Sequence, residues 1–128
     1  MLNRVLFANG MSCLLFGLGF ILFPSQTAQF LGTPPTWIIS LLGAGLLANA
    51  LALFLTARRS TPDRREVLFF IAGDVAWVLA TFSLIGFGLW ITSSAGIVSA
   101  ILVALWVGAC AYNQMKFLPD AEPAETQT

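Results

Sequence analysis

Four long apolar runs decide what this chain can fold into: Asn3 to Phe23, Trp37 to Ala57, Val67 to Ile91 and Ala95 to Met115. Each has about the 20 residues needed to cross a hydrocarbon layer of ~30 Å at ~1.5 Å per residue. Hydrocarbon gives backbone amides no partner, so a segment that crosses it must be helical. The composition agrees. Of 128 residues, 58% are hydrophobic and only 9% charged, where soluble domains average about 25% charged. Such a chain has too little polar surface to cover a soluble core. The expected fold is an all-α integral membrane protein with four transmembrane helices over 3–23, 37–57, 67–91 and 95–115. Short connections favour antiparallel neighbours, hence an up-down-up-down bundle forming one domain, 1–117. A signal peptide behind Arg4 fits the first run less well, because the run exceeds the usual core of about 7–15 residues and lacks a clean small-residue cleavage site.

Orientation follows from the basic residues. All six are Arg4, Arg58, Arg59, Arg64, Arg65 and Lys116, and the connections Pro24–Thr36 and Thr92–Ser94 have none. The positive-inside rule therefore places both termini and the Arg58–Arg65 loop in the cytoplasm, with the bacterial inner membrane as the expected location. Trp37 and Trp90 fall at the opposite ends of their runs, where an aromatic belt would hold them. In the long first connection, Ser25 is a candidate cap for a short helical turn, with Gly32 ending it and Pro34-Pro35 forbidding continuation. A plain loop is the equal alternative. The tail 118–128 has three acids and two prolines and is expected to be disordered in the cytoplasm.

Asp74 is the only charge between Val67 and Ile91. A carboxylate at the centre of a bilayer helix costs about 2.5–3.5 kcal/mol on insertion scales. Counting from Arg65 puts it roughly 13 Å deep. Asn49, counted from Arg58, reaches a similar depth, and Asn9, Ser12, Cys13, Cys110 and Asn113 lie in the same half. Helical spacing groups them into stripes: Asn9, Ser12, Cys13, Phe16 and Phe20 on the first helix; Gly45, Ala48, Asn49, Ala52 and Thr56 on the second; Phe70, Gly73, Asp74, Trp77, Thr81 and Gly88 on the third; Ser99, Trp106, Cys110 and Asn113 on the fourth. If these stripes face inward, Asp74, Asn49 and Asn9 converge. Trp77 and Trp106, far from either interface, would wall the site and offer a cation–π surface.

Two meanings of that convergence stay open. Buried amides and carboxyls tie bilayer helices together, for about 0.6 kcal/mol each. Alternatively, Asp74 takes up and releases a proton or ligand in a cavity. Enzyme chemistry has little to build on. Without histidine, and with Cys13 and Cys110 isolated, the chain has no basis for a metal, haem or dithiol centre. No cofactor is expected, and net charge zero gives no footprint for nucleic acid.

In size and in having one buried acid, the chain resembles the small multidrug-resistance transporters. Those carry their essential glutamate in the first helix. Here that helix holds Asn9, Ser12 and Cys13 instead, so the likeness is architectural and no residue role carries over. The run Leu41-Leu42-Gly43-Ala44-Gly45-Leu46-Leu47-Ala48 resembles the Gly-rich helices of small bacterial DoxX-like membrane proteins, a pattern too common to define a family. The expected function is a small inner-membrane protein binding or transporting a small hydrophobic or cationic molecule around Asp74, with Asn49, Asn9, Trp77, Trp106, Ser12 and Asn113 completing the site. The alternative is a non-catalytic accessory subunit packed against a larger membrane complex. A homodimer is the default oligomer.

Overall fold

The computed structural model describes residues 2–32 and 34–120. Its described part is all-helical: α1 (Leu2–Leu22), α2 (Pro24–Leu31), α3 (Thr36–Ala57), α4 (Arg64–Phe87), α5 (Ser94–Lys116) and a 3-10 turn, Leu118–Asp120. α1, α3, α4 and α5 are each long and apolar enough to cross a membrane. No more than 28% of any span's most apolar window is buried within the protein. Phe87, Phe69, Trp37, Leu22 and Leu102 all lie on the outside. That much uncovered hydrocarbon requires an apolar solvent, and the chain is a multi-pass membrane protein.

The helix ends differ from those expected from hydropathy alone. α4 begins at Arg64 instead of Val67, because Asp63 caps it: the Asp63 carboxylate accepts a hydrogen bond from the Arg65 backbone N–H at 2.8 Å. Arg64, Arg65 and Glu66 are sound helix formers, so the helix runs beyond its apolar stretch. It ends at Phe87 instead of Ile91. Gly88 adopts the left-handed conformation (φ 66°), Leu89 N–H donates to Leu84 O at 2.9 Å, and Gly88 N–H to Ile85 O at 3.1 Å. These two bonds form a Schellman motif, which releases the chain from the helix whatever the hydropathy beyond it. The first connection is helical, as α2, and Gly32 ends it at φ 141°. Ser25 is not the cap; Pro24 occupies the first turn, where its missing N–H costs nothing. Of the expected tail, Leu118–Asp120 form the 3-10 turn, with Leu118 packed against the core. Residues 121–128 lie outside the described residues.

α3 packs mainly on α1, and α4 on α5; the two pairs meet chiefly through α1 and α5. The α1–α3 contact is glycine-mediated. A Cβ built on Gly43 would lie 2.9 Å from Phe20 Cβ and 3.1 Å from Gly17 O. One built on Gly17 would lie 3.1 Å from Gly43 O. Small residues here let the two backbones touch, which is how helices associate without a hydrophobic driving force. Together with Gly10 and Ala50, these residues recur every seventh position and set the buried faces of α1 and α3. The faces therefore differ from the expected stripes. On α3 the buried residues are Ile39, Gly43, Ala50, Leu53 and Thr56, while Gly45 and Ala48 point outward. On α1, Phe16 is exposed. On α4, Gly73 is exposed, Gly88 lies beyond the helix end, and Val67 and Ile71 join the core.

A third close contact closes one end of the molecule. Leu31 O accepts hydrogen bonds from Thr92 N–H (2.9 Å) and Ser93 N–H (3.1 Å), and the Ser93 hydroxyl donates to Phe30 O at 2.5 Å. Ser93 Oγ also caps α5 by accepting from Gly96 N–H at 2.9 Å. Beyond Gly88, Trp90 takes a left-handed φ of 64°, a costly conformation for a bulky residue. The end of α2 is thus clasped to the α4–α5 turn.

Gly43→Ala forces a methyl into the α1–α3 contact and is expected to cost about 1–3 kcal/mol. Gly45→Ala, where no atom lies within 4 Å, makes the same gain in helix propensity and is expected to be neutral or mildly stabilising. Unfolding of both variants in mixed micelles checks the difference.

Candidate functional site

Asp74 sits on the face of α4 shared by Phe70, and only 6% of it is exposed. Two amides from other helices converge on one carboxylate oxygen. Asn9 Nδ2 of α1 donates to Asp74 Oδ2 at 2.9 Å, and Gln114 Nε2 of α5 donates to the same oxygen at 2.7 Å. Both donors are deeply buried, Asn9 at 2% exposure and Gln114 at 0%. Among the described residues no Lys or Arg forms an ion pair with Asp74; the ion pair found joins Arg59 and Glu66.

The network continues through sulfur. Cys13 Sγ donates to Asn9 Oδ1 across 3.9 Å and accepts from Asn49 Nδ2 of α3 at 3.4 Å. Side chains from α3, α1, α4 and α5 are thereby linked in the order Asn49, Cys13, Asn9, Asp74, Gln114. Gln114 Nε2 also donates to Cys110 O at 3.1 Å. Its Oε1 is buried without a partner. A buried acceptor left unmade costs about 1–3 kcal/mol, so the network holds one unused acceptor close to its only charge.

Of the residues singled out from sequence, Asn9 reaches Asp74. Asn49 does not, because α3 is rotated by its glycine contact with α1 and Cys13 takes its amide. Asn113 bonds back to Ala109 O at 2.8 Å on its own helix and leaves the network. Ser12 accepts from Trp106 Nε1 at 2.6 Å and donates to Ala8 O at 3.1 Å, a separate tie between α1 and α5. Trp106 is 46% exposed, so it lies at the lipid face more than at a cavity wall. Trp77 is half-buried, and its carbonyl accepts from the Thr81 hydroxyl at 2.8 Å.

Gln114 is the residue that sequence reasoning misses. It stands two positions before Lys116, where residue counting assigns it to the interface. The signal was its spacing: four residues after Cys110, it shares the face that carries the buried thiol. Its bond to Asp74, ten residues beyond the start of α4, shows that the ends of α4 and α5 are not level.

Two grooves open at the end of the molecule that holds the Arg58–Arg65 loop. One, of about 320 Å³, lies beside α1 and α3 around Phe7, Met11 and Phe54. The other, of about 460 Å³, lies between α3 and α4. Comparison with protein-family models, with curated proteins and with solved structures finds no match.

Asn9→Leu removes one of the two donors to a buried carboxylate and is expected to destabilise the protein by about 1.5–3 kcal/mol. Asn49→Leu, which loses only an amide–sulfur contact, is expected to cost less than about 1 kcal/mol. Parallel denaturation of the two variants in micelles distinguishes them.

Proposed function

We propose that this chain is a small bacterial inner-membrane protein that binds or moves a small hydrophobic or cationic molecule at Asp74. The observation that carries this reading is the uncompensated carboxylate. Asn9 and Gln114 satisfy its hydrogen bonding but bring no positive charge, so the site attracts a proton or a cationic group. The orphaned Gln114 Oε1 adds an acceptor for a donor on the incoming species. Ser12, Trp106, Trp77 and Asn49 act in this reading as the surrounding frame, and Asn113 as a residue near the entrance. No covalent chemistry is assigned to the site, and the protein is not an enzyme in this reading.

The topology proposed with it is an up-down-up-down bundle with both termini and the Arg58–Arg65 loop in the cytoplasm. It rests on the basic residues. Contacts of Asn3 with Ala57 O (3.0 Å) and Arg59 O (2.6 Å) support it by bringing the start of α1 to the end of α3.

A second reading has its own support. Gly73, Ala76, Ala80 and Ser83 form an exposed small-residue strip on α4, and no atom lies within 4 Å of a Cβ built on Gly73. Such a strip admits another helix closely, as expected of an accessory subunit in a larger complex or of a homodimer.

Asp74→Asn keeps the shape of the side chain and removes the charge. The protein is expected to stay folded in micelles while its binding of the lipophilic cation tetraphenylphosphonium, measured by equilibrium dialysis, falls at least about tenfold. Unchanged binding in the folded variant removes the ligand reading. Recovery of one stoichiometric larger membrane partner on native purification favours the accessory role.

A further inference from the structure

The groove between α3 and α4 is distinct from the Asp74 network. The backbones of α3 and α4 scarcely meet, so the groove is open along its side. Its wall is apolar where Leu55 and Phe69 line it, and both side chains are half or more exposed. Its end at the helix termini is polar, formed by Thr56, Arg59, Arg65 and Glu66. The Thr56 hydroxyl donates to Glu66 Oε2, and Arg59 lies 3.8 Å from Glu66 Oε1. Glu66 is therefore held on the α3 side of the groove. Two arginines against one glutamate leave the lining with one positive charge in excess; Arg64 and Asp63 adjoin it in the chain and cancel, while Arg58 lines the other groove.

A soluble anion matches the arginines but not Leu55 and Phe69. A hydrocarbon matches the wall but not the charge. We infer that the groove is a binding site for an anionic phospholipid, its phosphate between Arg59 and Arg65 and one acyl chain lying along Leu55 and Phe69. Guanidinium groups suit this role because they hydrogen-bond phosphate oxygens in pairs. The site leaves Asp74 free for its own ligand.

Native mass spectrometry of the full chain in micelles, with phosphatidylglycerol or phosphatidylcholine added, tests the assignment. Phosphatidylglycerol is expected to be retained in preference to phosphatidylcholine. Arg59→Gln and Arg65→Gln are each expected to weaken that retention by about fivefold, the worth of one basic residue at an anionic surface. Both side chains are exposed, so folding is not at stake, and size exclusion verifies it. Leu55→Trp fills the apolar part of the groove and is expected to lower retention with the charges intact. Asp74→Asn is expected to leave retention unchanged, which separates this site from the one proposed above. Equal retention of both lipids overturns the inference, as does an equal loss in Lys116→Gln. Displacement of the lipid by millimolar inorganic phosphate would make the groove an anion site, and loss of a dimer in the arginine variants would make it a face between copies. Either result also overturns it.

Discussion

The carboxylate of Asp74, held by the amides of Asn9 and Gln114, is the buried polar interaction that joins α4 to both α1 and α5 and around which the apolar contacts of the two helix pairs close. α1 and α3 associate through glycines, and α4 and α5 pack on each other, but the backbones of α1 and α4 stay apart. The bond from Asn9 to Asp74 crosses that gap, beside the apolar core that Val67, Phe70 and Ile71 share with α1 and α3. A hydrogen bond to a charged group is worth about 1.5–3 kcal/mol in soluble proteins and less between bilayer helices, so both donors are needed against the roughly 2.5–3.5 kcal/mol that the charge costs in a bilayer helix. Neutral donors are enough to keep the carboxylate inside the bundle and leave its field unopposed, a combination that suits a site exchanging positive charge better than a permanent ion pair would.

How far the fold could be read beforehand depends on which force sets each feature. The four spans follow from hydropathy, and their lengths are set by the hydrocarbon layer, so they are visible in the sequence to within a few residues. The ends of α4 were not, because capping by Asp63 and the left-handed Gly88 act locally and hydropathy does not register them. The helix faces were harder still. Polar spacing placed Asn9 and Asp74 together. On α3 the same rule failed, because the approach of Gly43 to Gly17 fixes the rotation of the helix, and a glycine's value as a contact surface depends on what lies opposite. Gln114 escaped for a related reason: depth counted from a terminal lysine assumes level helix ends.

The polar groups of the molecule divide by environment. The inner network uses amides, one thiol and one acid, all buried except the partly buried Asn49. The end of α3, the connection after it and the first turn of α4 gather Arg59, Arg65 and Glu66 around an open groove, where solvent and headgroups screen charge and a salt bridge contributes little. One set is arranged for a low dielectric and the other for the interface, and they share neither donors nor acceptors among the bonds described.

The clasp between Leu31 and the Thr92–Ser93 turn has a mechanical corollary. It fastens the two helix pairs at the end remote from the arginine loop through three hydrogen bonds, two of them backbone to backbone. At the opposite end, α3 and α4 are joined by the 58–63 connection and by side chains such as Thr56 and Glu66. The two pairs are therefore stapled by main-chain atoms at one extremity and by the 58–63 connection with its side chains at the other, so a side-chain substitution reaches the second fastening far more readily than the first.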